Sequence, residues 1–303
     1  MKIESLLMAK EAEVFGLIKS EMGEGIEGNN YLWYPSDSPL LFQAHIDTVR
    51  NEKKELKINI GTHVITGNGV LGADDRAGVC IAMWIHSYCK KHKLPMPQFL
   101  FTNKEETGGI GMKQFLACDP EFGELKLAIA LDRRGASEYV TYNVLPDEVH
   151  EYISQFGFVE EYGTFSDIEY FSDHTKIPSV NVSVGYYHQH TTHEQLNIDE
   201  MRLTLRRCIF IIAEPIEALY PVKEKVYKQG QQGYQYPLDY GWDYYDKRYD
   251  RKEDTYDLCE WCNYEAATTT ADWYGQKIYV CRNCAEIIIE ELEDEKQERR
   301  TYA

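Results

Sequence analysis

The segment "PLLFQAHIDTV", residues 39–49, is the first indication of the fold of this chain. A run of apolar, strand-forming residues leads directly into His45 and Asp47, which are separated by one residue. Short apolar runs bounded by turn residues are typical of buried strands. Taken alone, the pair is best explained as a core histidine whose ring is hydrogen-bonded to a neighbouring carboxylate. Four further apolar runs that end in the same way argue against that explanation.

Strand-like runs alternate with longer helical patterns between about residues 36 and 220. The strand-like runs include "PQFLFTN", "LKLAIALD" and "IPSVNVSVG", and the helical segments include "DRAGVCIAMWIHSYCKKH" and "GIGMKQFLACD". This alternation predicts an α/β domain with a mostly parallel, mixed sheet sandwiched by helices. We also expect one amphipathic helix at residues 1–23 and a closing helix at residues 197–219, with Asn197 as its N-cap.

Acidic residues and histidines stand at five of these strand ends. Ligands bind beyond the carboxyl ends of strands in open parallel sheets, so these side chains are expected to share one crevice. Each acidic pair also has an ordinary explanation as a helix cap or as first-turn acids. Together, however, the carboxylates would repel one another unless cations neutralised them, and their mixture with imidazoles suits zinc, or manganese or cobalt. The residues are His45, Asp47, Asp74, Asp75, Glu105, Glu106, Asp132 and His190.

Four motifs, taken in order, resemble the co-catalytic di-zinc exopeptidases. This group includes tripeptidase T, the leucyl-type bacterial aminopeptidases and the carboxypeptidase-G-like enzymes. The motifs are "AHIDTV", "LGADDRAGV", "FTNKEETGGIG" and "HTTHE". A fifth segment, "FSDHTKIPSV" at residues 171–180, is similar to a Ser-Asp-His element of the aminopeptidase branch. The resemblance covers about residues 5–220, and its strength lies in the order and spacing of the motifs.

The resemblance implies a fold like that of the zinc exopeptidases and a pair of catalytic zinc ions. His45 and Asp132 would hold one ion, Glu106 and His190 would hold the other, and Asp74 would bridge them. His190 is chosen among three nearby histidines because it stands four residues before a glutamate, as the corresponding ligand of the group does.

Supporting roles also follow from the resemblance. Asp47 would orient the ring of His45, and Glu105 would be the general base. Asp75 corresponds to a position that often follows a cis peptide bond in this group. His188 and His193 are expected either to line the pocket or to support the ligands, without holding metal themselves.

The activity implied is that of a zinc-dependent exopeptidase, a hydrolase acting on peptide bonds. We expect an aminopeptidase-like enzyme that removes a terminal residue from short peptides by means of a metal-bridged water. Only 57 residues separate Asp132 from His190, which leaves no room for a lid or dimerisation domain and favours the compact aminopeptidase branch. Two alternatives stay open: a deacylase of N-acyl amino acids with the same mechanism, and a non-catalytic adaptor on a peptidase scaffold.

One basic segment next to this predicted site has two possible roles. "RRG", residues 133–135, follows Asp132 directly. The arginines could bind a carboxylate of the substrate or form surface ion pairs, and the sequence favours surface pairs.

Bulk composition narrows the class of protein. With 303 residues and 43% hydrophobic composition, the chain can bury one full core and carry a small second module. A net charge of -18 without a cluster of Lys and Arg argues against nucleic acid and anionic membranes as partners. The lack of a long apolar run or a basic leader predicts a cytoplasmic protein.

Composition changes after residue 220 and divides the chain into three predicted parts. Residues 1–220 would form the catalytic domain, and residues 221–257, which contain eight tyrosines and few aliphatic residues, would form a linker. Residues 258–303 would form a zinc ribbon with an acidic C-terminal helix. Two "CxxC" pairs 18 residues apart suit one structural zinc, and the acidic surroundings favour protein contact or oligomerisation over nucleic acid. The ligands are Cys259, Cys262, Cys281 and Cys284.

Overall fold

The computed structural model describes residues 2–142, 145–163, 166–213, 216, 269–273 and 276–280. The chain divides into two units, Met1–Glu224 and Lys225–Ala303. The predicted linker and the four predicted cysteine ligands lie outside the described residues. Among the described residues, no helix is long and apolar enough to cross a bilayer.

The first unit contains a large mixed sheet with helices on both faces. The described strands of all sheets in both units are β1 (Ile26–Glu27), β2 (Tyr31–Tyr34), β3 (Leu40–His45), β4 (Ile58–Ile60), β5 (Val64–Gly67), β6 (Gln98–Thr102), β7 (Leu127–Arg133), β8 (Glu138–Thr141), β9 (Val159–Glu160), β10 (Ser179–Ser183), β11 (Tyr186–Tyr187), β12 (Gln195–Asn197), β13 (Thr269–Trp273) and β14 (Gln276–Val280). The helices are α1 (Ile3–Met8), α2 (Glu11–Met22), α3 (Ala73–His92), α4 (Ile110–Leu116), α5 (Asp147–Ser154), α6 (Asp167–Thr175) and α7 (Ile198–Ala213).

The eight-stranded sheet has the order β1-β2-β6-β3-β7-β10-β8-β9. The four central strands, β6, β3, β7 and β10, run parallel to one another. On one side β2 pairs antiparallel with β6, and on the other side β8 pairs antiparallel with β10. The α/β class and the mixed, centrally parallel sheet are therefore confirmed. Because the central strands are parallel, their carboxyl ends lie along one edge, where His45 at the end of β3 is paired with Thr102 at the end of β6.

Apolar side chains pack on both faces of this sheet. Successive side chains along a strand point to opposite faces, so Leu41 joins one core cluster and Phe42 the other. The cluster around Phe42 includes residues of α3 and α7, and the cluster around Leu41 includes residues of α4 and α6. Burial on both faces explains why β3, β6 and β7 consist mainly of apolar residues.

The prediction for the N-terminal segment was wrong in one respect. The segment forms two helices, α1 and α2, because Ala9 and Lys10 adopt extended backbone conformations. The guanidinium of Arg50 donates hydrogen bonds to the carbonyls of Leu7 and Ala9, which caps the end of α1. The backbone N–H of Lys10 donates to Glu13 and starts α2.

The predicted N-cap of the closing helix is confirmed. The side-chain oxygen of Asn197 accepts hydrogen bonds from the backbone N–H groups of Asp199 and Glu200, at 3.0 and 3.3 Å.

Two smaller sheets complete the described structure. The order β11-β12-β5-β4 defines a four-stranded antiparallel sheet in the first unit. In the second unit, β13 and β14 form an antiparallel pair between the positions of the two predicted cysteine knuckles.

Candidate metal centre

Five segments bring histidines and carboxylates to the carboxyl edge of the large sheet. β3 ends at His45, β7 carries Asp132 near its end, and the loop after β6 carries Glu105 and Glu106. The first turn of α3 adds Asp74, and the loop between β11 and β12 adds His190. Nitrogen and oxygen atoms of these residues form three groups within 4.8 Å: His45 with Asp74 and Asp132, His45 with Glu105 and Glu106, and Asp74 with Glu106 and His190.

Asp74 lies between the two histidines. Its Oδ1 is 3.1 Å from Nε2 of His45, and its Oδ2 is 3.2 Å from Nε2 of His190. Asp132 Oδ1 lies 3.4 Å from the same nitrogen of His45, and Glu106 Oε1 lies 2.8 Å from that of His190. One carboxylate thus presents one oxygen to each of two His/carboxylate pairs, which is the arrangement of a bridging ligand.

Asp47 holds the edge of the site together. Its backbone carbonyl lies 3.1 Å from Nδ1 of His45 and its carboxylate 3.5 Å, so the nearer partner of the ring is the carbonyl and not the carboxylate expected from the sequence. The carboxylate accepts the backbone N–H groups of Glu105 and Glu106 at 3.0 and 3.1 Å. With Nδ1 directed at Asp47, Nε2 of His45 faces the cluster.

Two buried carboxylates fix the first turn of α3, which carries Asp74. Glu194 accepts the N–H groups of Gly72 and Asp74 at 2.9 and 3.1 Å. Asp75 accepts the backbone N–H of His45 at 3.1 Å. The peptide bond between Asp74 and Asp75 is cis, as the resemblance implied. These contacts tie β3 and α3 together at the cluster.

The protonation equilibria show that the pocket attracts positive charge. Burial, followed by the neighbouring carboxylates, raises the pKa of Glu105 to about 9. Hydrogen bonds to Asp74 and Glu106 raise the pKa of His190 to about 10. Although burial opposes the effect, hydrogen bonds from His190 and His45 lower the pKa of Asp74 to about 2. The cluster therefore favours bound protons and charged histidine rings, which shows that it stabilises positive charge. Its carboxylate oxygens and imidazole nitrogens fit a divalent cation such as zinc.

Ser166 and Asp167 belong to the site, although the sequence analysis did not select them. Ser166 donates a 2.9 Å hydrogen bond to Oδ2 of Asp132. Asp167 is fully buried, accepts a 2.6 Å hydrogen bond from Thr102, and has a pKa that burial raises to about 7. Its other oxygen has no hydrogen-bond partner among the described residues.

The segment that resembled the Ser-Asp-His element lies elsewhere. Asp173 and His174 are exposed and line a separate surface groove with Lys113 and Tyr170. Two Ser-Asp dipeptides stand six residues apart in this region: Ser166-Asp167 at the start of α6 and Ser172-Asp173 near its end. The available signal was that Ser166 stands where an N-cap of α6 is expected.

The remaining histidines of the loop do not join the cluster. His188 and His193 are exposed and do not line the pocket, in contrast to the expectation from the sequence. His190 has a positive φ of 64°, a conformation that non-glycine residues adopt infrequently. The pocket is lined by His45, Asp74, Glu105, Glu106, Asp132, Arg133, Arg134, Tyr142, Asn181, Tyr186, Gln189 and His190.

The large sheet, with histidines and carboxylates gathered at its carboxyl edge, defines an α/β domain with a candidate metal centre. The chain belongs to peptidase family M28, whose sequence profile matches residues 25–272. Comparison with curated protein sequences gives no match.

Solved structures of peptidases share the fold. Aminopeptidase PepT from Bacillus cereus ATCC 10987 is 17% identical, with a TM-score of 0.58 over 69% of this chain and 96% of that one. A tripeptidase from Staphylococcus aureus subsp. aureus Mu50 is 15% identical, with a TM-score of 0.55 over 69% and 95%. The Pyrococcus horikoshii TET1 peptidase is 13% identical, with a TM-score of 0.52 over 70% and 99%. These similarities concern the fold alone.

Proposed function

We propose that this protein is a di-zinc aminopeptidase that removes the N-terminal residue of short peptides. The observation that carries the proposal is the position of Asp74, whose two oxygens face two different histidines, each accompanied by a further carboxylate. His45 and Asp132 would hold one zinc, His190 and Glu106 the other, and Asp74 would serve both. When bound, the two ions would supply Lewis acidity to the scissile carbonyl and to the attacking water.

Glu105 is the residue we assign to proton transfer. It lies beside the cluster without being one of the five proposed ligands, and Asp47 accepts a hydrogen bond from its backbone N–H. Burial and nearby carboxylates raise its affinity for a proton. In its carboxylate form it would therefore take a proton from water, and as the carboxylic acid it would then deliver that proton to the leaving amine.

The excess of carboxylates in the pocket favours a cationic group of the substrate. Asp74, Glu105, Glu106 and Asp132 all line the pocket, and an N-terminal ammonium brings the opposite charge. This supports cleavage at the amino end. A deacylase acting on N-acyl amino acids is the second candidate, because Arg133 and Arg134 also line the pocket and suit the free carboxylate of such a substrate.

Hydrolysis assays of the zinc-loaded protein test the proposal. Leucine anilide and free dipeptides should be hydrolysed, whereas N-acetylated versions of the same compounds should not. Glu105→Gln should lower kcat by about 10³-fold while both zinc ions remain bound, because this residue moves protons and holds no metal. Glu24→Gln, at an exposed residue outside the pocket, is the matched control. Hydrolysis of acetylated but not free substrates would favour the deacylase, and no hydrolysis at all would contradict both.

We further propose that Cys259, Cys262, Cys281 and Cys284 bind one structural zinc and that the ribbon contacts protein. The antiparallel pair β13 and β14, which falls between the two cysteine pairs in sequence, supports a ribbon. The free thiols of the catalytic unit support a cytoplasmic location, since such thiols persist in a reducing compartment.

A further inference from the structure

We propose that Arg133 and Arg134, here called the arginine pair, bind the free carboxylate of the substrate's leaving residue. The preferred substrate would then be a dipeptide with a free C-terminus. This inference rests on the proposed peptidase function and names the substrate class of the same pocket.

The arginine pair lies directly beside the cluster. β7 ends at Arg133, the residue after the proposed ligand Asp132, and both arginines line the pocket. A 2.8 Å hydrogen bond from the hydroxyl of Ser183 to the carbonyl of Arg134 fixes the backbone at this point. In a dipeptide the free carboxylate lies one residue, about 3.5 Å in extended form, beyond the scissile bond, so such a substrate would place it in the same pocket.

The guanidinium of Arg133 has one N–H group that is not used in a hydrogen bond among the described residues. Its Nη2 donates to the carbonyl of Tyr162 at 3.2 Å, while its buried Nε has no hydrogen-bond partner among the described residues. Its charge acts on the phenol of Tyr142, whose pKa burial raises, and Tyr142 lines the same pocket. A buried N–H without a partner is costly, and a carboxylate would satisfy it.

Arg134 is a second available cation. Its side chain is exposed, and it forms no ion pair or side-chain hydrogen bond within the part of the chain that the structure describes. This finding disagrees with surface ion pairs, the role that the sequence favoured. A guanidinium offers paired N–H donors in a plane and therefore matches a carboxylate.

The charge of the whole pocket supports an anion at this position. Four carboxylates line it, and two divalent cations would offset their charge. The positive charge of the arginine pair is then not neutralised by the carboxylates of the pocket. An ammonium group would be attracted to Glu105, the pocket carboxylate that is not assigned to a metal, and a carboxylate to the arginine pair, a separation that suits a zwitterionic dipeptide.

Kinetics with matched acid and amide substrates test the inference. The wild-type protein should show a kcat/KM for Leu-Gly about tenfold or more above that for Leu-Gly-amide, because one charge-assisted contact is lost in the amide. Arg133→Gln and Arg134→Gln should each reduce this ratio, and the double variant should bring it close to one. Arg134→Lys should retain part of the preference, since the charge persists. Lys54→Gln, which removes an exposed positive charge outside the pocket, should leave the ratio unchanged.

Binding to Glu105→Gln provides a readout that is independent of turnover. Calorimetry should show tighter binding of Leu-Gly than of its amide, and the additional Arg133→Gln and Arg134→Gln substitutions should remove the difference. Equal affinity for both forms, or a preference that survives in the double variant with an unchanged melting temperature, would overturn the inference. If no peptide is hydrolysed but the acid still binds more tightly through the arginine pair, the peptidase proposal fails and the carboxylate site stands.

Discussion

Asp74 is the residue on which the proposed metal centre depends. Its carboxylate is almost fully buried, and each oxygen is within 3.2 Å of a different histidine nitrogen. A carboxylate in this position is tolerated because the charge on the histidines, or on cations in their place, compensates the cost of burial. Neither Glu106 nor Asp132 contacts both histidines among the described ion pairs, so neither can replace it.

Asp74→Asn should therefore reduce zinc binding at both positions. We expect fewer than two zinc equivalents in the catalytic unit and a loss of activity of about 10³-fold or more, because the two ions share this ligand. Metal analysis by mass spectrometry measures the first effect. The control is Asp173→Asn, at the exposed aspartate of the segment that resembled the Ser-Asp-His element. Full zinc content in Asp74→Asn would contradict the bridging role.

Asp167 should make stability depend on pH. Burial raises its folded pKa to about 7, above the usual 3.8, so the folded state binds a proton that the unfolded state has already lost between these values. Its contribution to stability consequently falls as pH rises through this window. Asp167→Asn removes the titration, and its stability relative to wild type should increase between pH 5 and pH 8 by about 2 kcal/mol or more. Urea unfolding at both pH values measures this, and parallel pH profiles of the two proteins would contradict it.

At the scale of secondary-structure elements, local pattern determined much of what could be predicted. β3, β6, β7 and β10 are buried along nearly their whole length because both faces of the sheet are covered, and the sequence predicted all four. The smaller sheet was not predicted, because its strands have two to four residues and few buried side chains. Such strands form because a neighbouring strand is available for pairing, and the local sequence does not reveal that neighbour.

The break between α1 and α2 was missed for a similar reason. Helical periodicity continues through Ala9 and Lys10, but Arg50, about 40 residues away in sequence, captures the last carbonyls of α1. The two Ser-Asp dipeptides show the same limit at the site. Both fit the local motif, and only tertiary structure places Ser166 against Asp132.

Arg50→Ala should loosen the N-terminal helix. Two carbonyls at the end of α1 would lose a charged donor, which we expect to reduce the free energy of unfolding by about 2 kcal/mol. Chemical denaturation monitored by circular dichroism measures the change. Lys53→Ala, at an exposed neighbour, should change stability by less than about 0.5 kcal/mol. Equal stabilities of the two variants would show that the Arg50 contacts do not hold α1.

At the scale of the whole molecule, the catalytic cluster and the cysteine pairs fall in different units. The proposed catalytic ligands belong to Met1–Glu224, and the four cysteines to Lys225–Ala303. The two proposed sites also differ in donor chemistry, since carboxylates and imidazoles would form the first and thiolates the second.

Metal stoichiometry should divide along the same boundary. The intact protein should bind three zinc equivalents, and a chain ending at Glu224 should bind two and keep its peptidase activity. Substituting Cys259 and Cys262 by serine in the full chain should likewise remove one equivalent without affecting the catalytic pair. Retention of three equivalents in the shortened chain would contradict the structural zinc.

The central claim is that two zinc ions share Asp74. A crystal structure of the zinc-loaded protein, with anomalous scattering recorded at the zinc edge, tests it most directly. We predict two peaks about 3.5 to 4 Å apart, one beside His45 and Asp132 and the other beside His190 and Glu106, with Asp74 between them. A single peak, or two peaks that do not share Asp74, would contradict the account.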